Sequence, residues 1–292
     1  MNPAVVQTLL PLALAFIMFY LGLTLVLADF RRVAQRPRAL LAGLVGQMLL
    51  VPLAGFAVAT LAGLDPVMAV GLMVLVACPG GVSSGLLTHL ARGDTALSIS
   101  LTAVTSLASM LSLPLIINAA LQFFMGSSLT AQLPLFPMVR SIFLLTTLPV
   151  LLGMALRWQF PKLVARFEPV ASKVATTLFL LIVLATFWDQ RAVLWQHLPT
   201  LGPATLLLNA VILGSAYLLA TQARLLHADR IAIVTECGLQ NSALGIFVCL
   251  QLLASPAMSA PSVVYALLMN VGAIAFVLVM RQRRSSQHIS AA

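Results

Sequence analysis

The chain has 292 residues, of which 61% are hydrophobic and only 8% are charged. A soluble domain carries about 25% charged residues, and apolar runs of about 20 residues, enough for a helix to cross a bilayer, recur along this chain. The composition therefore excludes a soluble domain and predicts an all-α polytopic membrane protein with the lipid bilayer as its surroundings. The apolar runs are continuous and do not alternate, which excludes a membrane β-barrel.

The net charge of +9 does not indicate a nucleic-acid partner, because the basic residues sit in short loops between the apolar segments. The three cysteines, Cys78, Cys237 and Cys249, all lie within apolar segments and show neither a disulfide framework nor zinc spacing. The first 27 residues lack a basic region and a small-residue cleavage site, so we interpret them as a retained span. No obligate protein partner is evident.

The hydrophobic pattern predicts nine membrane spans. Their approximate positions are 5–27, 39–61, 67–90, 95–121, 136–156, 169–188, 203–223, 231–253 and 261–280. With the first loop in the cytoplasm, all Lys and Arg residues except Arg140 and Arg191 fall on the cytoplasmic side. This asymmetry predicts an outer N-terminus and a cytoplasmic C-terminus, in a bacterial inner (plasma) membrane.

The eighth span contains Glu236, the only acidic residue deep in any apolar segment of the sequence. A carboxylate there costs roughly 2.5–3.5 kcal/mol on insertion scales. A bound cation, a proton or a dense set of hydrogen-bond donors is needed to offset that cost. Gly238 follows two residues later and weakens the helix where the charge lies. We interpret this stretch as a functional site; the alternative is a protonated side chain that serves only packing.

The third and eighth spans form a pair. Both are interrupted, one at Pro79-Gly80-Gly81 and the other at Gly238, and both carry a cysteine followed five residues later by serine. The third span runs inward and the eighth outward, so we expect the two spans to be copies of one another with inverted orientation in the membrane. Interrupted spans at matching positions of two halves indicate a binding site near the bilayer midplane of a secondary transporter. Two ordinary kinks in a helical bundle are the alternative.

Polar side chains collect near these two interruptions. They are Gln47, Ser83, Ser84, Thr88, Ser98, Thr102, Thr105, Glu236, Gln240, Asn241, Ser242 and Asn270. Carboxylate, hydroxyl and amide oxygens, with backbone carbonyls freed by unwinding, are the ligands that a hard cation such as sodium requires. The positive N-terminal ends of the half-helices beyond each interruption favour an anionic ligand in the same cavity.

Several sequence blocks in this order resemble the bile acid:sodium symporter family over nearly the whole chain. The blocks are Met18-Phe19, Gly22 to Leu25, Gln47 with Pro52, Cys78 to Gly81, Leu90 to Asp94 with Ala96-Leu97-Ser98, and Glu236 to Ser242. The resemblance implies two broken helices that cross within a core, with a panel beside it. The core would be 39–121 and 203–280, and the panel would be 5–27 and 136–188, all within a single transporter domain.

The resemblance also implies three sets of binding residues. A first sodium site would use Ser84, Ser98, Thr102 and Glu236; a second would use Gln47, Glu236, Cys237, Leu239 and Gln240; and substrate contacts would come from Val82, Ser83, Asn241 and Asn270. No other cofactor is implied.

Two positions depart from the family pattern. Gly85 stands where the family usually has Asn, so the first sodium site lacks a side-chain amide ligand. Three alternatives are open: water or a shifted serine substitutes, the site is weakened, or a proton fills it. Met269 stands where the family has His before Asn270, so contacts of the bile-acid type are expected to differ.

The sequence thus predicts a secondary active transporter that takes up an organic anion with sodium by alternating access. The resemblance implies that the cargo is a bile-acid-like, pantoate-like or 2-oxo acid. The alternative is a proton-coupled or sodium-independent organic anion carrier or exporter of the same fold. An intramembrane enzyme is excluded because no Ser-Lys dyad, paired aspartates or His-Glu zinc spacing is present at membrane depth.

Overall fold

A computed structural model describes residues 8–81, 83–126 and 135–289, and this part of the chain is helical with no β-strand element. The α-helices are α1 (Leu10–Thr24), α2 (Leu27–Ala34), α3 (Pro37–Val45), α4 (Val51–Leu61), α5 (Pro66–Ala77), α6 (Ser83–Leu90), α7 (Thr95–Ala120), α8 (Leu135–Ile142), α9 (Leu148–Gln159), α10 (Pro161–Asp189), α11 (Arg191–Gln222), α12 (His227–Gly238), α13 (Ser242–Phe247) and α14 (Ala260–Ile289). Short π-helical turns join α3 to α4 (Gly46–Leu50) and α8 to α9 (Phe143–Thr147), and two more extend the C-terminal ends of α7 (Leu121–Met125) and α13 (Val248–Leu252).

Six continuous helical segments in the described residues are long and apolar enough to cross a membrane. They are Pro37–Leu61, Thr95–Met125, Leu135–Gln159, Pro161–Asp189, Arg191–Gln222 and Pro256–Met280. Three shorter apolar helical segments, Leu10–Thr24, Pro66–Ala77 and Ser242–Leu252, fall below the length of a full span. The all-helical membrane character predicted from composition is therefore confirmed.

Two helices begin earlier than the sequence analysis predicted. Helix α10 starts at Pro161 and α11 at Arg191, whereas the predicted spans start at 169 and 203. Both predicted starts are prolines, a residue that is common in the first turn of a helix. Here Pro169, Pro199 and Pro203 lie inside the helices. Membrane helices tolerate interior prolines because neighbouring groups satisfy the freed carbonyls.

Two glycines allow helices α1 and α9 to approach each other closely. Helix α1 packs against α9 and α10. At the α1–α9 crossing, Gly22 and Gly153 face each other, and a Cβ on either residue would overlap the backbone of the other helix. Small residues at such crossings let membrane helices pack by close van der Waals contact.

Aspartate caps fix the starts of two helices, α5, which leads to the first interruption, and α7, which carries Ser98 and Thr102. Asp65 precedes Pro66, and its Oδ1 accepts hydrogen bonds from the amides of Val67 and Met68 at 3.1 and 3.2 Å. Asp94 precedes α7, and its Oδ1 accepts from the Leu97 amide at 3.1 Å. Each cap satisfies N–H groups that the first helical turn leaves unpaired. The registers of α5 and α7, and hence the depth of their polar residues, are set by these caps.

Candidate functional site

The two interrupted helices meet through their unwound segments. Helix α5 ends at Ala77 and α6 resumes at Ser83, while α12 ends at Gly238 and α13 resumes at Ser242. Between these ends the segments run antiparallel, with a bridge between Gly80 and Gln240. The Gly81 amide donates to the Leu239 carbonyl at 2.6 Å, and the Asn241 amide donates to the Pro79 carbonyl at 3.0 Å. The crossing thus supplies backbone hydrogen bonds that the interrupted helices cannot make themselves, as burial requires.

Glu236 lies beside this crossing and is fully buried. Its Oε2 accepts hydrogen bonds from the hydroxyls of Ser84 at 2.7 Å and Ser98 at 3.1 Å. Its Oε1 accepts from the Thr102 hydroxyl at 2.7 Å. The first predicted set is therefore brought together, with three hydroxyls around the carboxylate of Glu236. Hydroxyl and carboxylate oxygens alone form this cluster, which is the donor chemistry that a hard monovalent cation prefers.

Three helices bring these side chains together. Ser98 and Thr102 are four residues apart, so they lie on one face of α7, and Ser84 lies in the first turn of α6. Glu236 reaches them because Gly80 has no side chain: a Cβ at residue 80 would overlap the Glu236 carboxylate. The glycine of the first interruption is therefore required for the close approach of the acidic residue of the second.

The substitution at Gly85 also has a structural consequence. Gly85 is buried, and a Cβ at this position would lie 3.1 Å from Cγ1 of Ile99 on α7. Ile99 is thus packed against the position from which an asparagine side chain would extend. The first predicted cation-binding set therefore lacks an asparagine amide at position 85, and the Ile99 side chain fills part of the space that this amide would need.

The second predicted set is linked through two glutamines. Gln47 lies in the π-helical turn between α3 and α4, and its Nε2 donates to the Cys78 carbonyl and to Gln240 Oε1, each at 2.9 Å. Gln240 Nε2 donates in turn to the Cys237 carbonyl at 2.7 Å. The Leu239 carbonyl accepts from Gly81 at the crossing. These hydrogen bonds bring Gln47, Gln240, Cys237 and Leu239 together, whereas the Glu236 carboxylate accepts from the hydroxyls of the first set.

The predicted substrate residues line a cleft of about 370 Å³. Ser83, Asn241 and Asn270 belong to this lining, and Val82 lies outside the described residues. Helices α1 and α10 add the polar residues Tyr20, Ser172 and Thr176. The other lining residues are Ile17, Gly81, Leu86, Ala175, Phe179, Leu180, Gln240, Ala243 and Met269. None of the described lining residues is charged, so recognition of a charged ligand in this cleft would depend on uncharged donors and helix ends.

The sequence analysis did not identify Asn209 and Tyr265, which support the second interruption. Tyr265 donates its hydroxyl proton to the Gly238 carbonyl at 3.0 Å, and Asn209 Nδ2 contacts the same carbonyl at 3.1 Å. Asn209 Nδ2 also lies 3.0 Å from the tyrosine oxygen. Both side chains are buried. An amide within the apolar run of α11 was a signal that could have drawn attention to Asn209.

A charged cluster lies at the starts of α7 and α12. Arg36 Nη1 lies 3.2 Å from Asp94 Oδ2 and 3.2 Å from Asp229 Oδ1. The Asp94 amide also donates to the Ala228 carbonyl at 3.0 Å. Arg36, which the sequence placed in a basic loop, therefore ties the start of α7 to the start of α12, the two helices that carry Thr102 and Glu236.

Sequence comparison identifies the family. The model of the sodium bile acid symporter family matches residues 11–197. The chain belongs to the sodium bile acid symporter family. This confirms the resemblance inferred from the sequence blocks, and the family is one of transporters and not of enzymes.

Relatives of this symporter-family chain come from plants, bacteria and mammals. A probable chloroplastic sodium/metabolite cotransporter, BASS2, of Oryza sativa subsp. japonica is 27% identical over 94% of this chain and 64% of its own length. The uncharacterized sodium-dependent transporter YocS of Bacillus subtilis (strain 168) is 28% identical over 91% of this chain and 81% of its own. The ileal sodium/bile acid cotransporter of Cricetulus griseus is 27% identical over 82% and 68%. The chain thus spans less than two thirds of the rice protein.

Proposed function

We propose that this chain is a secondary transporter that couples the movement of sodium to the uptake of an organic anion by alternating access. The observation that carries this proposal is the fully buried Glu236 carboxylate, surrounded by three hydroxyls at the crossing of two interrupted helices. Such a group at membrane depth requires a functional reason, because burying it is costly. The family and its named relatives, which are sodium cotransporters, support the same function.

The proposed architecture has nine spans. The six long helices account for six, α1 for a seventh, and the pairs α5–α6 and α12–α13 for the two interrupted spans. An inverted repeat relates the halves that contain these pairs. The core consists of about 39–121 and 203–280, and the panel of about 5–27 and 136–188. We place the N-terminus outside and the C-terminus in the cytoplasm of a bacterial inner membrane, from the distribution of Lys and Arg.

Sodium is cargo in this mechanism, held at two positions. The first is formed by Ser84, Ser98, Thr102 and Glu236. The three hydroxyl groups donate to the carboxylate in this structure. When a cation binds, they rotate so that their oxygen lone pairs face it. The single negative charge of Glu236 then neutralises the charge of one monovalent cation. The second position is formed by the glutamine-linked set of Gln47, Cys237, Leu239 and Gln240, with Glu236 nearby in the chain.

The organic anion occupies the cleft lined by Ser83, Asn241 and Asn270. The volume of this cleft accommodates a small or elongated amphipathic molecule. Ser83 and Asn241 lie where α6 and α13 begin, so the partial positive charge of these helix starts faces the cleft and favours a carboxylate. Bile-acid-like, pantoate-like and 2-oxo acids are the candidate classes. Among the relatives, one name specifies bile acid and another an unspecified metabolite.

A proton-coupled or sodium-independent carrier of the same fold is the second candidate. It is favoured by one specific observation, the packing of Ile99 against Gly85 in place of an amide ligand. With a depleted first position, a proton on Glu236 would satisfy the same three hydroxyls.

Uptake by proteoliposomes distinguishes the two candidates. A thermal-shift screen of organic anions on purified protein, with and without sodium, first selects a ligand. Uptake of that ligand is then measured at one fixed pH on both sides, with an inward sodium gradient or with the same gradient of choline. We expect sodium to accelerate uptake; equal rates in sodium and choline would contradict sodium coupling.

A further inference from the structure

A cavity of about 470 Å³ lies where α1, α2, α9 and α10 meet, and it shares no lining residue with the cleft assigned to the organic anion. Its walls come from the end of α1, the start of α2, the end of α9 and the start of α10. Among the lining residues are Leu25, Ala28, Met154, Arg157, Trp158 and Pro161. In the proposed orientation, α1 and α9 end and α10 begins at the cytoplasmic boundary of the membrane, so the cavity lies at that boundary.

The walls of this cavity are apolar except at one position. Arg157 is the only charged residue among its described lining residues, and the others are apolar. Leu25 is buried, whereas Val26 and Trp158 are 38% and 76% exposed, so the cavity opens to the surroundings of the protein. An exposed tryptophan is typical of the membrane–water interface. Apolar walls with a single cationic group therefore favour an amphipathic ligand that carries a negative charge.

The Arg157 guanidinium has hydrogen-bonding capacity left for such a ligand. Its Nη1 donates to Glu168 Oε2 at 2.8 Å, and this is its one side-chain bond to a described residue. A guanidinium has five N–H donors, so the remaining donors are available. The side chain also keeps 24% of its surface exposed. Arginine pairs well with phosphate because its planar fork of donors matches two phosphate oxygens.

The corner between α9 and α10 carries an excess of positive charge. Residues 150–175 contain four basic residues, Arg157, Lys162, Arg166 and Lys173, and Glu168 is the one acidic residue in this range. The ion pair with Glu168 thus leaves the corner basic. Each Lys or Arg near an anionic membrane surface contributes about 1 kcal/mol of attraction. The charge of the corner is therefore complementary to an anionic headgroup.

We propose that this cavity binds an anionic phospholipid, with the phosphate on Arg157 and the glycerol backbone and first acyl carbons against the apolar walls. Basic pockets between membrane helices on the cytoplasmic side suit such headgroups. A free phosphate ion would leave the apolar walls uncovered, and a zwitterionic lipid would bring its own cationic group toward the arginine. The proposal does not depend on sodium coupling, since no residue of the cavity belongs to the proposed sodium positions.

Native mass spectrometry of the purified full chain tests this assignment. The protein is titrated in detergent with phosphatidylglycerol or with phosphatidylcholine of the same acyl chains. We expect phosphatidylglycerol to bind about fivefold more tightly, which corresponds to about 1 kcal/mol. Equal affinities would overturn the proposal. Displacement of the bound lipid by millimolar inorganic phosphate would identify a free anion as the ligand, and this would also overturn it.

Two variants of the ion pair separate lipid binding from a structural role of the pair. Arg157→Gln should lose the preference for phosphatidylglycerol, because the cationic group is gone. Glu168→Gln should bind phosphatidylglycerol at least as tightly as wild type, because its carboxylate no longer competes for the guanidinium. Both variants break the ion pair, so a loss caused by the broken pair alone would appear in both. Equal weakening in the two variants would therefore overturn the assignment.

Arg38→Gln is the control for general attraction of lipid to a basic surface. Arg38 is an exposed arginine in the first turn of α3, it is placed on the same side of the membrane, and it does not line the cavity. The affinity of this variant for phosphatidylglycerol should match that of wild type. A loss as large as that in Arg157→Gln would mean that the lipid is attracted by surface charge in general, which would contradict a site in the cavity.

Discussion

The Glu236 carboxylate lies so close to Gly80 that any side chain at residue 80 would overlap it. The acidic residue belongs to the second interrupted helix and the glycine to the first, so neither interruption alone explains the site. Burial of the carboxylate depends on the pairing of the two unwound segments, in which Gly80 bridges to Gln240.

Gly80→Ala is expected to displace Glu236 and weaken the crossing. Forcing one extra methyl group into a packed interior costs about 1–3 kcal/mol, and here the neighbour is a carboxylate held by three hydroxyls. Thermal unfolding of the purified protein should occur at a lower temperature, and sodium should stabilise the variant less than it stabilises wild type. Gly214→Ala on α11 is the control, because a Cβ there meets no atom within 4 Å. Wild-type sodium stabilisation in Gly80→Ala would contradict the close approach.

Glu236→Gln should abolish sodium-stimulated uptake while the protein still inserts in the membrane. The amide is similar in size, so packing is kept, but the single negative charge that would neutralise sodium is lost. Surface expression and monodispersity should match wild type. A wild-type uptake rate in this variant, measured in proteoliposomes with a sodium gradient, would exclude Glu236 from a cation-binding role.

Gln47→Ala should reduce the apparent sodium affinity of uptake more than Ser84→Ala does. The glutamine bonds to both Cys78 and Gln240, whereas Ser84 belongs to the proposed first sodium position, which lacks an amide. We expect a loss of about five- to tenfold for Gln47→Ala, in line with about 1 kcal/mol or more for a buried bond to a polar partner. Sodium-titrated uptake gives the ranking, and the reverse order would count against a depleted first position.

Gly85→Asn combined with Ile99→Ala should strengthen sodium binding at the first position. Asparagine alone would press against Ile99, whose Cγ1 lies 3.1 Å from the new Cβ. Removing the isoleucine branch makes room for an amide oxygen beside Ser84 and Ser98. Sodium titration of thermal stability should show the double variant to be tighter than Gly85→Asn alone and than Ile99→Ala alone. If neither change alters sodium affinity, the missing amide is not what limits this position.

Asn209→Ala should destabilise the end of α12 more than Tyr265→Phe does. Asn209 and Tyr265 each contact the Gly238 carbonyl, and the Asn209 amide also contacts the tyrosine oxygen. Phenylalanine leaves the Asn209 bond to Gly238 in place, while alanine also opens a small space. The expected loss for Asn209→Ala is about 1–3 kcal/mol, measured by denaturation in detergent. Equal losses in the two variants, or a larger loss in Tyr265→Phe, would contradict this ranking.

Much of the site could be predicted from local sequence. A carboxylate and a glycine inside an apolar run identify a costly charge where the helix is weak, and Pro79-Gly80-Gly81 identifies the other interruption. The spacing of Ser98 and Thr102 places both on one helix face. These inferences concern neighbours along one chain segment, for which residue type and helical period are sufficient. The family was likewise recognised from motifs and was confirmed by the family match.

Other features depended on segments that are far apart in the sequence. The sequence by itself determined that the chain is helical, lies in a membrane and carries a buried charge, because composition and periodicity act locally. Only the tertiary structure decided that Gly80 makes room for Glu236, that Ile99 fills the space beside Gly85, and that Asn209 and Tyr265 hold the Gly238 carbonyl. Those contacts depend on how closely separate helices pack, and close packing is set by the shapes of both partners at once.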